Sequence, residues 1–125
     1  MEYYKNLSID LINYKDLYGN WRVEKFVDVK DYEGMYKISD LGRVMSLKRK
    51  KSIILKPSFN NNGYLFVGLY NKGFGYLVFN HQLVAAGFLN HNRCGFKLVI
   101  NHIDFNRQNN ILSNLEIVTS RVNSN

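Results

Sequence analysis

From Trp21 onward, apolar and polar residues alternate in short runs separated by turn-forming residues, and this period of two predicts β-strands. Residues 35–39 and 43–47 alternate around Asp40-Leu41-Gly42, which predicts a hairpin. Residues 52–55 and 64–70 flank Asn60-Asn61-Asn62-Gly63, and residues 76–79 follow a turn at 71–75 whose glycines supply positive φ. Together these runs predict a small antiparallel meander. The period then changes. Residues 81–89 put Leu83, Val84 and Phe88 on one stripe, predicting a short buried helix with Asn80 as its N-cap. A strand over 97–101, a polar loop over 103–113 and a strand over 115–118 follow, and Thr119 or Ser120 is placed to cap a final helix. In the first twenty residues Tyr4, Leu7, Leu11, Tyr14 and Tyr18 recur near helical spacing, so this extension is expected to be helical and to serve core docking only.

Composition narrows the function classes. At 125 residues with 46% hydrophobic positions the chain can bury a core, which excludes intrinsic disorder and collagen-like repeats. Cys94 is the single cysteine, so neither an internal disulfide nor a Cys-x-x-Cys zinc site is available. No apolar run reaches the roughly 18 to 20 residues that span a bilayer, and the first residues lack the basic and apolar pattern of a signal peptide. A soluble, unprocessed cytoplasmic protein is the expectation. Lys+Arg number 17 against 10 Asp+Glu, a net charge of +7. The excess is not spread evenly, because residues 48–97 hold eight bases and no acid. Lys48, Arg49, Lys50 and Lys51 form its densest part, with Lys56, Lys72, Arg93 and Lys97 behind them among aromatic residues. An uncommitted surface would intersperse acids, so this segment points to a nucleic acid, with Lys37 and Arg43 on the preceding hairpin as candidates for reaching a base edge.

Candidate chemistry sits near the C-terminus. Asn101-His102 ends one strand, Asn114 precedes the next, and Asn123 lies in the final helix; an antiparallel strand-loop-strand-helix unit brings these stations together around one imidazole. His81 opens a helix and has no metal-ligand spacing to other residues, so it reads as structural. Asp104 reads as an Asx-turn residue, and His91 and Cys94 as loop residues.

The run from Val99 to Thr119, followed by Arg121-Val122-Asn123, closely resembles the HNH motif of phage-intron homing endonucleases. Trp21, the run 32–39 and the run 41–46 resemble the NUMOD4 module that precedes HNH in that family, and residues 81–85 are similar to the segment linking them. The resemblance implies an α+β protein: a helical extension over 1–20, a β-rich DNA-binding module over 21–75 and a ββα-metal nuclease unit, the HNH or His-Me finger, over 76–125. It implies hydrolysis of DNA phosphodiesters, leaving 5′-phosphate and 3′-hydroxyl ends. Asn101 and Asn123 would hold one divalent metal ion per active site, Mg²⁺ first and Mn²⁺ second, His102 would be the general base, and Asn114 would orient it. An imidazole with a pKa near 6.5 accepts a proton from water at neutral pH, and a hard cation stabilises charge at phosphate. Relatives often carry Asp where Asn101 stands, so metal affinity without DNA is expected to be poor. The partner would be double-stranded DNA, nicked by a monomer or cut on both strands by a dimer. A catalytically inactive DNA-binding regulator with the same fold is the alternative; an RNA-binding module would need an RNP-type string that the chain lacks.

Overall fold

The computed structural model describes residues 9–91 and 98–119. Arg93, Cys94, Lys97, Ser120, Asn123 and the expected final helix lie outside the described residues, as do residues 1–8 of the N-terminal extension.

Within that extension the structure corrects the expected helix: β1 (Asn13–Lys15) pairs antiparallel with β2 (Trp21–Val23). Turn chemistry overrides the helical stripe. Asp16 Oδ1 accepts from the Tyr18 and Asn20 amides at 3.0 and 2.9 Å, its Oδ2 takes Arg22 Nε at 3.0 Å, and Gly19 closes the turn at φ 84°.

The alternating runs form two sheets. The first is four-stranded, in the order β3 (Phe26–Asp28), β4 (Tyr36–Ser39), β5 (Val44–Ser46), β6 (Ile53–Ile54), every pair antiparallel. The second contains β7 (Ser58–Phe59), β8 (Leu65–Asn71) and β9 (Phe74–Phe79). Between β8 and β9 only Lys72 and Gly73 turn the chain, both with positive φ, so the hairpin keeps the twist of its strands. The 75/76 boundary expected between the two units therefore falls inside the β8–β9 hairpin.

Among the described residues one α-helix, α1 (Asn80–Phe88), packs against β4, β8 and β9, and against β10 (Leu98–His102), which forms a two-stranded ribbon with β11 (Leu115–Thr119). Leu83, Val84 and Ala85 of the helix meet Ile38, Val44, Leu69, Ile100 and Leu115 in one continuous core. Leu69 is fully buried, and truncating such a leucine to alanine costs about 2–5 kcal/mol. Asn80 is not the N-cap: Phe79 holds that position without a side-chain bond, and Asn80, buried, donates through Nδ2 to Gly42 O at 3.0 Å. No described helix is long and apolar enough to cross a membrane.

Candidate active site

The β10–β11 ribbon is joined by a loop that ends in a 3₁₀ turn, Leu112–Asn114. Three contacts tie this loop to the N-terminal sheets. The Leu112 amide donates to Asp40 O at 2.7 Å, the Leu17 amide donates to Ser113 Oγ at 2.8 Å, and Arg107 Nη1 donates to Asn62 O at 2.8 Å. Gly42 sits so close that a Cβ there would stand 2.8 Å from Asn110 Cβ, and its φ of 95° also requires glycine. The turn of the β4–β5 hairpin thereby sets the position of Asn110.

Asn110 matters because its Oδ1 lies 2.8 Å from His102 Nε2, with both residues buried. An amide oxygen only accepts, so Nε2 carries the ring proton and Nδ1 keeps its lone pair. Asn114 does not take this role. Fully buried, it accepts from the Asp104 amide at 2.9 Å and donates to Asp104 Oδ1 and Asn109 O, stapling the loop shut. Asp104 is the Asx-turn residue the sequence suggested, since the Asn106 amide donates to its Oδ1 at 2.8 Å. Hydrogen bonds from the Asn109 side chain, the Asn106 amide and Asn114 hold its carboxyl below the usual value, against the opposing effect of burial.

His102 ends β10 with its ring edge-on to His81, centroids 5.2 Å apart, and tilted against Tyr64 at 6.0 Å. Arg107 lies 4.8 Å over the Tyr64 ring. Burial lowers the pKa of His102, opposed by the Asn110 bond and the Asp104 charge. Burial, with the nearby His102, pushes His81 down to about 4, and its Nδ1 has no hydrogen-bond partner among the described residues. Both imidazoles are therefore neutral at pH 7.

Asn101 immediately precedes His102 on β10, and Glu116 stands opposite it on β11 and accepts from its Nδ2 at 2.8 Å. Among the described residues no three His, Cys, Asp or Glu converge on a metal-binding arrangement. The Asn101 amide with the Glu116 carboxylate beside it nonetheless presents hard oxygen donors, which fit a cation such as Mg²⁺ and not a soft metal. Sequence reasoning missed Glu116, Asn110 and Arg107. The two-residue alternation across a ribbon would have paired Glu116 with Asn101 once the register was known, whereas nothing in the spacing singles out Asn110.

The basic candidates divide. Arg49, Lys50 and Lys51, in the loop joining β5 to β6, are exposed, as are Lys56 and Lys72. Lys48 is exposed too, though its Nζ donates to Tyr70 O at 2.8 Å. Lys37 and Arg43 are not placed to read bases. Lys37 is buried and ion-paired with Asp28 at 3.3 Å. The Arg43 guanidinium grips both oxygens of buried Glu24 and bonds Asp10 O at 3.1 Å. Each belongs to residues 21–47, where five acids match five bases, and there the acids neutralise them.

Residues 24–70 match the NUMOD4 motif. The chain is 40% identical over 96 residues to the DNA endonuclease I-HmuI of Bacillus phage SP01, covering 77% of this chain and 53% of that protein. It is 31% identical over 100 residues to the H-N-H endonuclease F-TflII of Escherichia phage T5, covering 80% and 50%. A solved structure of DNA binding and cleavage by the HNH homing endonuclease I-HmuI superposes with a TM-score of 0.70 at 36% identity, over 80% of this chain and 55% of that one. The chain thus spans about half the length of the relatives it matches. A NUMOD4 motif leads into the histidine-bearing ribbon, and over about half of their length the chain is similar to proteins named as HNH homing endonucleases.

Proposed function

We propose that this chain is a metal-dependent DNA endonuclease that hydrolyses phosphodiester bonds. The observation that carries the reading is His102: a neutral imidazole at the end of β10, its Nε2 proton fixed on Asn110 and its Nδ1 left as the basic nitrogen. In the reaction Nδ1 takes a proton from water, the water oxygen forms the new bond to phosphorus, and the bond to the 3′ oxygen breaks, that oxygen leaving with a proton taken from a second water. The products are a 3′-hydroxyl and a 5′-phosphate. Asn101, with Asn123, would hold a divalent cation, Mg²⁺ in the first instance. When bound, such a cation stabilises negative charge developing at the phosphate and the leaving oxygen. Asn114 acts by keeping the loop that carries Asn110 in shape.

Duplex DNA is the partner, held through phosphate contacts from the exposed bases at 48–51, Lys56 and Lys72. The similarity to proteins named as DNA endonucleases supports this reading. Supercoiled plasmid incubated with the protein and Mg²⁺ or Mn²⁺, beside a His102→Ala control, tests it. Nicked or linear product from the native protein alone is expected. Plasmid binding without any scission would establish the inactive DNA-binding regulator instead.

A further inference from the structure

Four non-glycine residues have positive φ among the described residues: Asp31, Lys72, Asn90 and Phe105. The first three are polar and sit at ordinary turns. Phe105, at φ 64°, is aromatic, and a bulky side chain in the left-handed region is a conformational outlier that glycine would relieve. The same residue is 87% exposed, the highest exposure of any large apolar side chain described. Backbone and side chain are therefore both unfavourable at one position in the free protein. Neither is an accident of a loose loop. The Phe105 amide donates to His102 O at 2.9 Å, and the preceding Asp104 is held by Asn106, Asn109 and Asn114. The turn is over-determined, and it presents the ring three residues from the base.

Resting on the endonuclease reading, we propose that Phe105 is an apolar wedge that inserts against the bases flanking the phosphodiester presented to His102. Duplex DNA is the occupant the surroundings favour. Exposed Arg107, on the same loop, supplies positive charge for the neighbouring phosphates, and an apolar ring set against base steps partly unstacks them and bends the duplex. The wedge would fix which bond lies against the imidazole, making Phe105 a determinant of cleavage position.

The deciding comparison is native protein against Phe105→Gly and Phe105→Trp, on a short duplex carrying 2-aminopurine beside the bond that the native protein cuts. Glycine accepts the positive φ, so Phe105→Gly should fold with an unchanged or raised Tm. It should nevertheless bind the duplex about ten-fold more weakly in EDTA, lose the rise in 2-aminopurine fluorescence, and scatter or slow cleavage. Phe105→Trp should keep all three properties. A glycine variant that binds, brightens the probe and cuts as the native protein does would overturn the wedge while leaving the nuclease reading intact. A native protein that neither binds nor cuts DNA would overturn both.

Discussion

The four-stranded sheet and the stretch that follows it use basic residues in opposite ways. In the sheet and the hairpin before it, Arg22 meets Asp16, Lys37 meets Asp28 and Arg43 meets Glu24, so charge holds the structure together. From Lys48 to Lys72 the chain has five lysines and an arginine and no acid, and these bases face solvent. The polar residues of the β10–β11 loop show a third use, in which neutral amides are buried in a closed hydrogen-bond network around one imidazole. A basic or amide residue is thus interpretable only with its neighbours: a nearby acid makes it structural, and an acid-free surround leaves its charge for a partner.

The sharpest break in this comparison is His102→Ala, since the imidazole is the group proposed to take the proton from water. Single-turnover cleavage should fall by about 10²- to 10⁴-fold, while the Kd for DNA in EDTA stays within a few-fold. Parallel loss of binding and cleavage would make His102 a contact or structural residue.

Next in size is Arg43→Ala, which tests the claim that the sheet's charges are structural. It strands Glu24, whose side chain is fully buried, and breaking such a pair costs about 3–5 kcal/mol. Urea unfolding should register that loss, with no change of DNA sequence preference in the fraction that remains folded. The pair also gives a pH signature. Burial pushes the Glu24 carboxyl upward, but hydrogen bonds from Arg43, Ser39 and the Ile12 amide outweigh it and hold the carboxyl below its ordinary value. Stability from Glu24 is therefore present above the unfolded carboxyl's pKa and is lost as pH falls through the lower folded value. A Glu24→Gln variant should show a flatter acid limb than the native protein.

How much of this was legible in the sequence depends on how local each determinant is. The hairpin at Asp40-Leu41-Gly42, the turn at 60–63 and the helix after Phe79 follow from residue type within a few positions, and the structure has them. Over residues 9–18 the helical stripe gives way because Asp16 accepts three hydrogen bonds in a turn, a competition that hydrophobic spacing does not register. The site was legible as a set of stations but not as a set of partners. His102 and Asn114 are separated by a loop whose internal bonds decide which amide faces the ring, and Asn110 can take that place because Gly42, from a distant hairpin, has no Cβ to obstruct it. Lys37 and Arg43 were misread for the same reason: their acids, Asp28 and Glu24, are brought to them by strand register and by the fold.

Two substitutions separate the amides within the network. Asn110→Ala removes the acceptor from His102 Nε2 and should lower the cleavage rate by about 10- to 100-fold, beside a stability loss of about 1–3 kcal/mol from the buried ring N–H left unpaired. Asn114→Ala leaves the Asp104 amide and Asn109 O unpaired, costing about 1–3 kcal/mol of stability, with the rate falling only as the loop loosens. A larger rate loss for Asn114→Ala at unchanged stability would return the orienting role to Asn114.

The smallest effect per residue belongs to the acid-free loop, and it completes the contrast with the sheet. Each phosphate neutralised by Lys48, Arg49, Lys50 or Lys51 releases a counterion, so log K falls with log salt by about 0.9 per contact. Because no acid of the loop competes for these side chains, their charge is available along its whole length, and replacing all four with Gln should flatten the salt slope by about two to four units. Lys48, whose Nζ is already bonded to Tyr70 O, should contribute least of the four. Binding should weaken alike for most duplex sequences, since phosphate contacts carry no base information. Stability should hardly move, because the four side chains are exposed and lie outside the core, the reverse of what Arg43→Ala does. Fluorescence anisotropy at several salt concentrations measures the slope, and an unchanged slope in the four-Gln variant would show the loop to be a solvated turn with its charge unused.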